Sequence, residues 1–388
     1  MKKIIALALV VILAFSVLTA CGGGEKEDVI KIGVYEPLSG SNGAGGKQEY
    51  LGMQYANKVC PEIEIDGKTY KIELVPADNE SANEKAVSAA TDLISAGVSV
   101  VLGSYGSGVS IAASDTFADA GMPAIGVTCT NPQVTEGNSH YFRICFLDPF
   151  QGTVLANFAK NELGAKTAYC LGELGNDYDQ GLVHYFKEAA EGMGMKVITA
   201  EFPKDSADFT SYLTSAKNEG ADVIFAPCSI QYAQLIVEQA DAQGIEASLL
   251  GGDTWDSNQI LGAAEGKDVE IYVSTFYAEG GDPEFEEGIK AWINENAEAK
   301  TNNGGNDMIA AVTVMGYDAY FTALEAIKAA GSADKADILA KLPSVTYEGV
   351  SGTIKFNEIG DAVRDSAYIK QANTADVVWD FVTVATVG

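Results

Sequence analysis

The chain has 388 residues, 47% hydrophobic and 20% charged, with a net charge of −29. That composition describes an ordered globular protein, and the roughly 360 residues beyond the first apolar stretch are too many for one ordinary core, so two domains are expected. So acidic a chain excludes nucleic acid as a partner and excludes binding to anionic lipid through a basic patch.

The N-terminus opens with Lys2 and Lys3, followed by an unbroken apolar run over residues 4–15 and then Leu18, Thr19, Ala20 and Cys21. A basic end, an apolar middle and small residues before a cut make residues 1–20 a secretory signal peptide. The run is short of the roughly 20 residues a membrane span needs. Leu18-Thr19-Ala20-Cys21 resembles a bacterial lipobox. The resemblance implies an exported protein, lipidated on Cys21 and held at the outer face of the cell membrane or in the periplasm. Residues 21–28, rich in glycine and charge, then read as a flexible tether, and folded structure is expected from Val29.

Beyond the tether, short apolar runs predict strands at 30–35, 70–77, 98–102, 123–127, 167–171, 196–201, 222–226, 248–250 and 270–275. Amphipathic stretches separate them. Ala86, Ala90, Leu93 and Ile94 share one helix face, as do Leu155, Phe158, Ala159 and Leu163, and again Ala233, Ile236, Val237 and Ala240. Alternating strand and helix predicts an α/β protein with two doubly wound parallel-sheet lobes. The order runs twice, with a break near 148–149. Helices around 285–296 and 307–330 and β-rich stretches at 349–356 and 368–384 complete the chain. Without a long Pro- or Ser-rich linker, the lobes are expected to meet at a hinge. The expected division is 29–148 plus 278–348 for the first lobe and 149–277 plus 349–388 for the second.

With Cys21 lipidated, five cysteines are left: Cys60, Cys129, Cys145, Cys170 and Cys228. An odd number does not pair completely within one chain, and no CxxC occurs, so zinc and thioredoxin-like chemistry lack support. Buried free thiols are the expectation. Only His140 and His184 are present, with no HExxH and no Gly-x-Ser-x-Gly, so catalysis, metals and cofactors are not expected.

In parallel α/β sheets, ligands bind at the C-terminal ends of strands beside helix N-termini. After 98–102 come Gly103-Ser104-Tyr105-Gly106-Ser107-Gly108, small residues whose backbone N–H groups suit a carboxylate or phosphate; a tight turn with a serine cap is the alternative. After 123–127, Thr128-Cys129-Thr130-Asn131-Pro132 places two hydroxyls in alternation, facing a ligand or capping the strand end. After 167–171, Asp177-Tyr178-Asp179 offers Tyr178 as a wall, and the full calcium-loop pattern is missing. After 248–250, Asp253 or Asp256 could pair with a ligand ammonium or cap a helix.

Together these segments resemble a type I solute-binding protein of the branched-chain amino acid group, the receptors of ABC importers. The carrying residues are Ile32-Gly33-Val34 with Pro37-Leu38-Ser39-Gly40, Gly103-Ser104 with Ser107, Thr128 to Pro132 with Tyr141-Phe142-Arg143, Asp177 to Gly181, and Gly349 to Gly352 with Phe356-Asn357. The resemblance implies the type I periplasmic-binding-protein fold, a monomer, and no enzymatic activity. It implies a small ligand, most simply an amino acid, delivered to an ABC permease; the alternatives are a ligand-sensing receptor domain of the same fold and a binder of amides or short peptides. Ser107 and Thr130 would hold the carboxylate and amine, the Thr128 carbonyl would accept from the amine, and Tyr178 would close from the second lobe. Tyr105 joins this set. The family's acidic partner of the ammonium falls at Asp253, where a longer Glu is usual. Its aromatic wall after Gly40 is replaced by Asn42-Gly43-Ala44-Gly45-Gly46.

Overall fold

The computed structural model describes residues 28–387. The signal peptide, Cys21 and all of the tether except Asp28 lie outside the described residues. In chain order the first half comprises β1 (Val29–Glu36), α1 (Gly43–Val59), β2 (Glu62–Ile65), β3 (Lys68–Asp78), α2 (Asn83–Ala96), β4 (Val100–Leu102), α3 (Ser107–Asp119), β5 (Ala124–Gly126) and β6 (Tyr141–Arg143). The strands form one sheet in the order β2-β3-β1-β4-β5-β6, parallel except for β2 against β3. Because strand side chains alternate, Ile30, Ile32 and Val34 enter the core beneath α1, while Tyr35 and Val101 enter a separate core with α2 and α3.

The second half continues with α4 (Asp148–Asn161), β7 (Thr167–Glu173), α5 (Asp177–Gly192), β8 (Lys196–Phe202), α6 (Thr210–Asn218), β9 (Val223–Phe225), α7 (Ile230–Ala242), β10 (Ser248–Gly251), α8 (Asn258–Ala264) and β11 (Ile271–Thr275). The chain then returns through α9 (Pro283–Glu295), α10 (Ala297–Asn302), α11 (Ala311–Ala330) and α12 (Lys335–Lys341). It ends with β12 (Thr346–Gly349), β13 (Gly352–Lys355), β14 (Ser366–Asn373) and β15 (Val378–Thr386). The second sheet runs β15-β14-β11-β10-β9-β7-β8, its first two strands antiparallel additions to a parallel core. The expected α/β class with two parallel-sheet bodies is therefore what the chain forms.

The return segment belongs to the first body. Helix α11 lies on α1 so closely that a Cβ on Gly316 would sit 2.0 Å from the Glu49 carbonyl oxygen. No side chain fits there, so this pairing fixes where α1 sits over the sheet. The β12–β13 hairpin packs against α11, and Phe356 meets Phe142 edge-to-face at 5.2 Å.

Two strands were not expected from sequence. Strands β2 and β6 have four and three residues, too few for periodicity to register, and β6 ends on a buried arginine. The helix expected from 307 starts at Ala311, because Asn258 and Asn303 bind the Met308 carbonyl and hold the preceding segment as a loop. The four cysteines Cys129, Cys145, Cys170 and Cys228 are buried and free, and Cys60 is half-buried and free. Burial raises the pKa of each of the four, Cys129 to about 11, so they remain inert thiols.

Three crossings join the bodies, after β6, after β11 and before β14. They lie side by side: Phe146 stacks on Phe276 at 4.2 Å, and Arg364 Nε donates to the Ile144 carbonyl at 2.6 Å. Arg143, at the first crossing, is fully buried. It pairs with Asp361 of the third at 2.6 Å and donates to the carbonyls of Cys129 and Asn131. One guanidinium thus ties the hinge to the loop that carries Thr128 and Thr130.

Candidate functional site

The C-terminal ends of both sheets face each other across a cleft of about 400 Å³. Asn42, Tyr105 and Ser107 line it from the first body, and Tyr178, Ser229 and Thr254 from the second. The bodies touch around it. Asn42 Oδ1 accepts from the Ile230 N–H at 3.2 Å, Tyr105 Oη donates to the Thr254 carbonyl at 3.3 Å, and Asn131 Nδ2 donates to the Asp177 carbonyl at 2.8 Å. At the mouth, Lys204 and Glu84 approach to 3.6 Å. This is a closed arrangement of the two bodies.

Ser107 is the first residue of α3, and its hydroxyl accepts from the Asn131 N–H at 3.2 Å rather than capping its own helix. The small residues before it leave the helix N-terminus open, with its positive partial charge directed into the cleft. The two threonines face different carboxyls. Thr128 donates to Glu49, whereas the buried Thr130 hydroxyl lies against the Asp148 carboxyl.

Tyr178 is held at the second position of α5, whose start is capped by the Asn176 side chain. Its hydroxyl donates to Asp253 Oδ1 at 2.9 Å, and Gln151 Nε2 donates to the same oxygen at 2.9 Å. Asp253 opens a single helical turn but caps nothing; Ser257 caps α8 instead. Asp256 takes the buried Lys370 at 2.9 Å and the Thr275 hydroxyl. Of the two candidate carboxylates, only Asp253 is left without a cation.

Tyr105 accounts for one glycine of the run in α1, Gly45. A Cβ on Gly45 would sit 2.4 Å from the Tyr105 ring, so the ring occupies the space that a side chain there would fill. Of the residues singled out from sequence, Tyr105, Ser107 and Tyr178 line the cleft, whereas Thr128, Thr130 and Asp253 are buried and not part of its lining, Asp253 lying against Tyr178.

Sequence reasoning missed Glu36, Glu49, Asp148 and Gln151. All four are fully buried. Glu36, the last residue of β1, accepts from the Tyr105 N–H at 2.8 Å. Glu49 projects from α1 one turn beyond Gly45, on the same helix face. Glu36 carried a signal: a charge closing an apolar strand at its C-terminal end. Burial raises all these carboxyls. Glu49 rises to about 8, Asp148 to about 7 and Asp253 to about 6, and Glu36 rises well above the carboxylate range through burial and its neighbour Glu49. Asp179, expected on the same loop as Tyr178, is buried and accepts from the Glu173 N–H at 2.7 Å. Among the described residues, no group of three or more His, Cys, Asp or Glu could hold a metal ion.

A family profile described as periplasmic binding protein matches residues 29–376. The chain belongs to that family. The Leu/Ile/Val-binding protein homolog 1 of Brucella abortus is 29% identical over 357 residues, covering 90% of this chain and 91% of the relative. An amino acid binding protein of Pseudomonas aeruginosa is 30% identical over 347 residues, covering 88% and 89%. Among solved structures, the leucine binding protein LivK of Thermotoga maritima superposes with a TM-score of 0.81 at 29% identity, covering 92% of this chain and 99% of that one. A Rhodopseudomonas palustris solute-binding protein in complex with benzoate has a TM-score of 0.78 at 19% identity over 93% and 98%, a likeness of fold alone. The relatives and the fold are those of type I solute-binding proteins of the branched-chain amino acid ABC transporter group. This chain is accordingly a solute-binding receptor of the ABC transporter type and not an enzyme. Family membership implies export. No described helix is long and apolar enough to cross a membrane.

The raised carboxyls fix a pH dependence. Their folded pKa values lie above the ordinary range near 4, so between about pH 4 and pH 8 the ligand-free folded protein binds more protons than the unfolded chain. Stability is then greatest at the acid end of that window and falls as pH rises through about 6, 7 and 8. Thermal unfolding of ligand-free protein at pH 5 and pH 8.5 checks this: the midpoint should be lower at pH 8.5, and Glu49→Gln should shrink the difference. A midpoint higher at pH 8.5 contradicts it.

Proposed function

We propose that the cleft holds an α-amino acid between the two lobes and presents it, in the closed form, to an ABC permease. The observation that carries this reading is the division of groups across the cleft. On one side Ser107 stands at the open start of α3 with the Thr130 loop beside it; on the other, Asp253 stands without a cation, oriented by Tyr178 and Gln151. A zwitterion complements both. Its carboxylate would take the Ser107 and Thr130 hydroxyls and the N–H groups at the α3 terminus. Its ammonium would take Asp253 and the Thr128 carbonyl. Tyr105 would form the aromatic wall over Gly45, and Tyr178 would arrive with the second lobe. The names of the relatives, Leu/Ile/Val-binding and amino acid binding, support the same ligand class.

Closure follows from the same contacts. Only groups that meet in the closed form favour it, and a ligand bridging Ser107 and Asp253 touches both bodies at once. The lobes are taken as 29–148 with 278–348 and 149–277 with 349–388. The packing of the β12–β13 hairpin on α11 argues for a last crossing nearer Arg364 than Gly349. The receptor is proposed to work as a monomer anchored at the outer face of the membrane through lipid on Cys21, with residues 1–20 removed as a signal peptide.

The double substitution Ser107→Ala with Thr130→Ala removes two polar contacts from the ligand, each worth about 1–3 kcal/mol when the partner is charged. Calorimetry with the amino acid that most raises the wild-type melting temperature should show affinity reduced at least tenfold, with the unfolding midpoint of the ligand-free protein within a few degrees of wild type. Unchanged affinity would move the site elsewhere. Cys21→Ser should release the protein from membranes into the medium or soluble fraction on cell fractionation; continued retention would rule out the lipid anchor.

A further inference from the structure

The start of a helix leaves N–H groups without partners inside the helix, and a polar side chain just before it commonly supplies one. Two helices that begin at the cleft depart from this. Asn42 stands in the capping position of α1, and its side chain makes no bond to its own helix. Ser229 stands in the capping position of α7, and its side chain caps nothing either. The start of α7 is satisfied from the other lobe instead. Asn42 Oδ1 accepts from the Ile230 N–H at 3.2 Å, and the Ser41 carbonyl accepts from the Gln231 N–H at 3.3 Å. A residue at the head of a first-lobe helix thus caps a helix of the second lobe.

Both bonds exist only while the lobes are together. Opening withdraws Ser41 and Asn42 and exposes the start of α7 to water. Ser229 is placed to replace them. Its backbone is extended, with φ −53° and ψ 150°, the conformation from which a serine caps the helix that follows it. In the closed form its hydroxyl is engaged across the cleft, accepting from the Ser41 hydroxyl at 3.5 Å. Rotation about its Cα–Cβ bond, one staggered position to another, would turn the same oxygen onto the Gln231 N–H that Ser41 has left. Asn42 has no equivalent return. Its φ of −112° and ψ of 13° are not the extended values of a cap, so turning its side chain back onto α1 requires the backbone to change as well.

We infer that α7 has two alternative caps, Asn42 with Ser41 across the cleft in the closed form and Ser229 from its own lobe in the open form, and that the exchange between them sets how tightly ligand is held. This rests on the closure described above and assigns Asn42 and Ser229 as its positioning residues. Because a cap given up on opening is replaced, the two forms lie close in free energy. The ligand-free receptor can then reopen, and the ligand tips the balance through the contacts that it alone makes. The exchange also separates the two helix starts at the cleft. That of α7 is filled by protein on closure, which leaves that of α3, beside Ser107, for the ligand carboxylate.

The test pairs two substitutions that should act in opposite directions. Asn42→Ala removes a cap of the closed form alone, and Ser229→Ala removes that of the open form alone. The full chain, freed of bound solute, is titrated with an equimolar mixture of the standard L-amino acids, and the rise in melting temperature gives the half-saturating concentration. Asn42→Ala should raise that concentration about threefold or more and Ser229→Ala should lower it about threefold, the lower range of what a helix cap contributes. A role confined to the stability of either lobe does not produce opposite signs. Small-angle scattering of the ligand-free variants, which needs no ligand, should give a larger radius of gyration for Asn42→Ala than for Ser229→Ala. Weaker binding by Ser229→Ala, wild-type binding by Asn42→Ala, or equal radii for the two overturns the inference and leaves the amino-acid reading standing. A mixture that does not move the wild-type melting temperature overturns that reading, and the scattering comparison still decides between one cap and two.

Discussion

A carboxylate taken out of water without a cation is held at a large free-energy disadvantage, and the interior of this protein holds several. Asp253, Glu49, Glu36 and Asp148 are each at most 1% exposed. Elsewhere in the interior the same problem is solved within the chain: Asp361 has Arg143, and Asp256 has Lys370. The difference divides the buried charges into two kinds. Those with a cation hold the hinge and the second sheet together. Of those without one, Asp253 lies directly against Tyr178, which lines the cleft between the lobes.

The fold explains why the unmatched groups converge there. Parallel strands end together, so Glu36 after β1, the Ser107 turn after β4, the Thr128–Thr130 loop after β5, Tyr178 after β7 and Asp253 after β10 all reach one region. The closed contacts at Asn42, Tyr105 and Asn131 are few and polar. They hold the lobes in register together with apolar packing, since Tyr105, Ala310 and Val312 join the core of the second lobe. Arg143 joins the two levels. By binding Asp361 at the crossing and the carbonyls flanking Thr130 in the binding loop, it sets the loop's shape at the point about which the lobes turn.

Much of this was legible in the sequence. Alternating strand and helix patterns gave the α/β class, and the rule that ligands sit beyond strand ends led to Ser107, Thr128, Thr130, Tyr178 and Asp253. The remainder was hidden for physical reasons. Glu49 lies inside a helix whose glycine-rich start blurs its amphipathic pattern, and its burial depends on α11, more than 260 residues later in the chain. Gln151 and Asp148 belong to a helix that begins where the chain changes lobes, so no strand end points to them. Tyr105 was singled out, but its position over Gly45 is a property of two segments folded together. The choice between Asp253 and Asp256 likewise turned on Lys370, a partner that only the folded sheet brings near.

The most direct test of the cleft as an amino acid site is to identify what the protein carries. Material purified without unfolding from its native cells would be denatured, and the small molecules released would be identified and quantified by mass spectrometry. Release of an α-amino acid in near one-to-one ratio with the protein is the expected result. Release of an aromatic acid, a sugar or a nucleoside in that ratio would contradict it.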